Sequence, residues 1–163
     1  VLIDHHTDMQ SSIVGDMLSC GNWAKKALQN PFLHRLYLIG PSKHDLKSVE
    51  RNKVLSFSIE ELEQGATIPL ETKYPVYISI DKDVLDERYA MTNWNQGDMS
   101  LGMLEDVLAH FQKNCEVIGI DICGDDPDID DYPTYIKAER INNLSDDALY
   151  QTAMKILKRR QKK

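Results

Sequence analysis

Five short apolar runs, at residues 1–4, 35–40, 53–57, 75–81 and 116–121, are separated by longer amphipathic stretches. Val, Ile, Leu and Tyr dominate the runs, the composition of strands buried on both faces of a parallel sheet. Strand and helix alternation of this kind predicts an α/β protein with a mostly parallel sheet. The helical stretches carry their own start signals. Ser58-Ile59-Glu60-Glu61 fits a capping box, in which Ser and Glu satisfy each other's free backbone N–H groups. Ser100 is placed to cap a helix whose Leu101, Leu104, Leu108 and Phe111 recur at helical spacing, with Val107 widening that face. A last helix is expected from near Ser145, with Asp146 and Asp147 in its first turn and a basic end at 158–163, as the helix dipole favours. The 163 residues fit one domain, 1–163. The chain opens in the middle of an apolar run without Met, which predicts a C-terminal fragment of a longer domain.

Charge and cysteine usage narrow the partners. Lys and Arg number 19 against 26 Asp and Glu, a net charge of −7, which argues against nucleic acid as the main partner. No run of 18 apolar residues exists, so no membrane-crossing helix is expected. Three cysteines, none in a CxxC pair, argue against a disulfide scaffold and for a reducing cytoplasm.

The chemistry sits where the strands end. In open parallel sheets ligands bind at the carboxyl ends of the strands. There the first run leads into Asp4-His5-His6-Thr7-Asp8, the fourth into Asp81-Lys82-Asp83-Val84-Leu85-Asp86, and the fifth into Asp121-Ile122-Cys123-Gly124-Asp125. Buried carboxylates repel unless something positive compensates them, and a divalent cation is the economical answer. In an extended strand Asp4, His6 and Asp8 share one side, and Asp81 and Asp83 share the same parity on another strand. Four carboxylates and one imidazole suit a hard or borderline ion such as Mn²⁺. The bland alternative is a pair of acidic turns that never meet.

At these residues the sequence resembles the ureohydrolase (arginase and agmatinase) family. Asp4-His5-His6-Thr7-Asp8 is similar to its DAHxD motif, and Ser79-Ile80-Asp81-Lys82-Asp83-Val84-Leu85-Asp86 to its SxDxDxxD motif. The resemblance implies a binuclear manganese site in a three-layer α/β/α fold, with Asp4 and Asp81 bridging, His6 and Asp83 completing one ion and Asp8 binding the other. It implies hydrolysis of a carbon–nitrogen bond in an amidino or amide group of a small molecule by a water shared between the metals, with Asp83 the candidate proton carrier. A further ligand His would lie upstream of residue 1, and relatives of this family often form homo-oligomers.

The substrate half of the resemblance departs from the pattern. Asn22 is kept from the family's SGNxHG segment, but Ala24 stands where the His would be. Gly124 stands where a guanidinium-gripping Glu is usual, with Asp125 beside it, and Asp45 falls near a residue that contacts the substrate amine. Asn22, Asp45 and Asp125 are thus the candidate substrate-binding residues, and arginine is an improbable substrate. Ile3-Asp4-His5-His6 also resembles DHH-type phosphoesterases, and a non-catalytic metal-binding domain is the other alternative. Strand parity turns His5 away from the metals. His34, His44 and His110 read as isolated residues, and 92–98 as a solvated loop. Asp125, Asp126, Asp128, Asp130 and Asp131 lack the Gly and Glu of an EF-hand and read as an acidic loop.

Overall fold

A computed structural model of the chain describes residues 1–12, 15–50, 52–71, 73–125 and 131–160. Five strands form one sheet: β1 (Leu2–Ile3), β2 (Leu36–Gly40), β3 (Val54–Ser58), β4 (Val76–Asp81) and β5 (Val117–Cys123). All pairings are parallel, in the order β3-β2-β1-β4-β5. The apolar runs thus become strands, as expected for segments that bury both faces. β1 contributes only two residues to the ladder, yet it lies at the centre, with Ile3 opposite Ile39 on one side and Ile80 on the other. The chain grows outward from β1 to β3, then returns to place β4 on β1's other flank. The crevice between the ends of β1 and β4 is therefore the topological switch point, where open α/β sheets place their ligands.

The side chains of the strands alternate between two apolar clusters. Leu2, Leu36 and Leu38 pack with Ala24 and Trp23 of α1 (Trp23–Ala27) and with Leu46 and Val49. On the opposite face Ile3, Tyr37, Ile39, Ile78 and Ile80 meet α2 (Ile59–Glu63), α3 (Leu101–Asn114) and α4 (Tyr132–Arg160). Leu104, Leu108 and Phe111 of α3 are at most 1% exposed, and burying each such side chain contributes about 1.5–3 kcal/mol. The predicted caps form. The Ser58 backbone N–H donates to Glu61 at 2.9 Å and the Glu61 N–H to Ser58 Oγ at 3.2 Å, while the Met103 N–H donates to Ser100 Oγ at 3.1 Å.

The last helix differs from its expected start. It begins at Tyr132, so Ser145, Asp146 and Asp147 lie within it and not at its first turn. The true cap is Asp131, whose carboxylate accepts the Thr134 N–H at 2.9 Å, and Pro133 sits in the first turn, where its missing N–H costs nothing. Ser145 instead turns its hydroxyl inward to the carbonyl of Tyr89. Among the described residues no helix is long and apolar enough to cross a membrane.

Candidate metal centre

Asp4 leaves the centre of the sheet while still tied to β2, its N–H donating to the Ile39 carbonyl at 3.0 Å. The extended path predicted through Asp8 ends there. The Asp4 carboxylate accepts the His6 N–H at 2.6 Å, and Asp8 adopts a left-handed backbone with φ of 51°. A turn, not strand parity, therefore gathers the first motif. Gly40 makes room for it: a Cβ there would lie 2.6 Å from the Asp4 carbonyl oxygen and 2.5 Å from Val84, and its φ of 115° suits only glycine.

The second motif approaches from β4. Lys82–Val84 form a single 3-10 turn, capped by Asp81, whose carboxylate accepts the Asp83 N–H at 3.0 Å. Here too a turn takes the place of the shared parity expected of Asp81 and Asp83. Asp83 then meets the first motif with both oxygens, one accepting the His5 N–H at 3.1 Å and the other 2.8 Å from His6 Nδ1. His6 Nδ1 also lies 3.6 Å from Asp4. Asp4, His6 and Asp83 each present one ligand atom, all within 4.8 Å of one another, a geometry that a metal ion can occupy.

Asp8 and Asp81 stand just outside that trio. Asp8 accepts the Trp23 indole N–H at 2.5 Å. Asp81 faces the Cys123 thiol, with Sγ 3.4 Å away. Burial, reinforced by mutual repulsion, pushes the carboxyl of Asp4 up to about 8 and raises those of Asp8 and Asp81. Hydrogen bonds to Asp4 and Asp83 hold His6 up at about 10. Each shift has one meaning: the cluster takes up positive charge wherever it can. Burial and the Asp81 charge push the Cys123 thiol to about 12, which suits it poorly to ligation. The donor set is oxygen-rich with one imidazole, and it fits a hard or borderline divalent ion such as manganese.

The three substrate candidates are not brought together here. Asn22 is 4% exposed and staples its own loop, donating to the Met17 carbonyl and accepting the Ser19 N–H, both at 2.9 Å. Asp45 is half-exposed and accepts the Ser42 hydroxyl at 2.6 Å. Asp125 pairs with Lys82 at 2.6 Å. A Cβ at Gly124 would lie 2.3 Å from an Asp81 carboxylate oxygen, so this backbone excludes any side chain at that position. His5 packs its ring edge-on to His6 at 5.1 Å. His34 pairs with Glu71 at 2.7 Å, His44 is exposed, and His110 bonds the Ile68 carbonyl at 2.8 Å. Asp131 caps α4, while Asp126, Asp128 and Asp130 fall outside the described residues.

Three contributors escaped the sequence reading. Lys82 is 1% exposed and binds both Asp125 and Asp146 of α4 at 2.6 Å. Trp23 anchors Asp8, and Trp94 sets its ring against His6, with centroids 6.1 Å apart. The available signal was an unpaired apolar residue in a polar loop for Trp94, and a lysine between two ligand positions for Lys82. A cavity of about 680 Å³ opens beside the cluster, running from Asp4, Asp8 and Asp81 across β1 and β4.

The model of the Arginase family matches residues 1–144. A Thermotoga maritima protein described as uncharacterized is 32% identical over 142 residues, 87% of this chain and 53% of its own length. The crystal structure of a hypothetical agmatinase from Burkholderia thailandensis superposes with a TM-score of 0.64 at 16% identity, over 99% of this chain and 52% of that one. An arginase from Medicago truncatula gives 0.60 at 18% identity, over 89% of this chain and 49% of that one. These structures share the α/β fold with its parallel sheet, and the chain spans about half the length of the relatives it matches.

Proposed function

The chain belongs to the arginase family, and from that premise we propose that it is the metal-binding part of a manganese-dependent hydrolase acting on a carbon–nitrogen bond of an amidino or amide group. The observation that carries this reading is the convergence of Asp4, His6 and Asp83 at the switch point between β1 and β4. In this proposal Asp4, His6, Asp8, Asp81 and Asp83 would hold the manganese, with Asp4 and Asp81 shared between two ions, His6 and Asp83 completing one and Asp8 serving the other. When bound there, manganese supplies the positive charge that lowers the pKa of water and polarises the bond under attack.

The chain's own residues supply position and proton handling. The His5 N–H fixes one oxygen of Asp83, and the other is held 2.8 Å from His6 Nδ1. That second oxygen, paired with His6, is the proposed station for the proton bound for the leaving nitrogen. The Trp23 indole holds Asp8 in a single orientation, and the capped turn does the same for Asp81.

Family membership sets aside the phosphoesterase alternative. A metal-binding domain without catalysis is the second reading, and one observation favours it: Asn22 and Asp125 are both spent on internal bonds. Elemental analysis after manganese loading, with ammonia and amine release measured on amides and alkylguanidines, separates the two. Bound manganese with hydrolysis, both lost in D4N and D83N, supports the hydrolase. Bound manganese without hydrolysis supports the second reading, and no bound manganese removes both.

A further inference from the structure

The loop between β4 and α3 is held in place at every turn. Asn142 of α4 grips the backbone of Met91 from both sides, at 2.8 and 2.9 Å. The Gln96 side chain accepts the Thr92 N–H at 3.0 Å and donates to the carbonyls of Leu85 and Ala90 at 3.0 and 2.8 Å. Gly97 donates to the Asp83 carbonyl at 2.7 Å and lies so close to Val84 that a Cβ would come within 2.6 Å of its carbonyl oxygen. What this built loop presents is Trp94, with 58% of its surface exposed. Its indole stands edge-on to His6, the member of the cluster that is itself a third exposed.

The charges around the cluster point the same way. Asp125 and Asp86, beyond the ends of β5 and β4, are already paired with Lys82 and Arg88, each at 2.6 Å, and Asp121 within β5 accepts the Ser79 hydroxyl at 2.8 Å. Gly124 admits no side chain that could replace them. Asp45, across the sheet, is bonded to Ser42. The indole would accept a guanidinium as readily as a flat neutral group, but the cation would find these carboxylates already engaged, whereas a neutral group needs none of them.

We infer that Trp94 is a substrate-binding residue, and that the substrate is an uncharged amide whose acyl group is flat and apolar, of the aromatic carboxamide class. This rests on the hydrolase reading above. The reaction balances without a further reagent: water adds to the carbonyl carbon, the C–N bond breaks, and the water's proton leaves with the nitrogen, giving a carboxylic acid and ammonia or an amine.

The test is calorimetric binding of benzamide and of butylguanidinium to the manganese-loaded protein and its W94A and W94F variants. Benzamide should bind the parent saturably and more tightly than butylguanidinium. W94A should weaken it by about tenfold, the scale of a lost aromatic contact, while W94F should stay within about threefold. Because the indole is exposed, W94A should keep the parent's manganese stoichiometry, which separates a lost contact from a lost fold. Manganese uptake with equal benzamide affinity in W94A, with no benzamide binding, or with tighter butylguanidinium binding, overturns this inference and leaves the hydrolase standing. Failure of the parent to take up manganese overturns the hydrolase and this inference together.

Discussion

Two ionic clusters flank the end of β4, and consecutive residues feed them. Asp81 and Asp83 turn toward Asp4, His6 and Asp8, while Lys82 between them turns toward Asp125 and Asp146. In the lysine cluster the protein supplies its own cation, buried to 1% exposure, and the two acids keep contact with water at 67% and 41%. In the aspartate cluster Asp4 and Asp83 are each 2% exposed, and their nearest positive partner is a histidine. The first arrangement is a closed structural joint. The second is under-compensated, and that imbalance supports the proposed metal site.

Breaking the joint from its acidic side should have the largest effect. D125A/D146A strands a buried ammonium, and urea unfolding should show a loss of about 3–5 kcal/mol. An unchanged midpoint would mean that the lysine finds water or another partner.

The aspartate cluster should respond to metal instead. Free manganese at 100 times its dissociation constant should raise stability by about 2.7 kcal/mol, and D83N should remove most of that gain. The same melts followed across pH without metal sharpen the contrast. The stability carried by Asp4's neutral carboxyl is complete below its ordinary 3.8 and lost as pH rises through about 8. That carried by His6 is complete below 6.5 and lost through about 10. Both groups therefore make metal-free stability fall as pH climbs, and manganese should flatten the decline by replacing the protons. A metal-free profile that rises from pH 5 to 9 would contradict these assignments.

The smallest effect should come from K82M. Methionine fills much of the lysine's space and both released acids reach water, so the cost should stay within about 1 kcal/mol in the same unfolding assay. A loss as large as that of the double acid variant would show that the lysine's charge, and not merely its volume, holds the turn.

Much of this was legible in the chain. The apolar runs became β1 to β5, because residues buried on both faces leave a clear compositional mark. Ser58 and Ser100 cap as written, since a cap is a local bond between residues three apart. Asp4, His6 and Asp83 were found as strand-end residues, but the geometry that joins them is two turns, which strand parity could not express. The start of α4 was missed because Asp131-Tyr132-Pro133-Thr134 carries a cap that an acidic run obscures. Asn22 and Asp125 were assigned by position in a motif, and position does not reveal a bonding partner 5 or 43 residues away in sequence. Lys82 was invisible for the same reason, since its acids lie on β5's loop and α4.

The turn at Lys82–Val84 also fixes how the molecule can vary. A 3-10 turn spaces successive side chains by about 120°, so three neighbouring residues address three different directions. Inserting or deleting one residue there would rotate the set by one place, delivering the ammonium among the carboxylates and an aspartate into the packed interior beneath α4. Substitutions can be compensated one at a time, but a change of length in this turn would scramble both clusters at once. Length variation should therefore be confined to connections elsewhere on the chain, leaving this turn as its fixed point of reference.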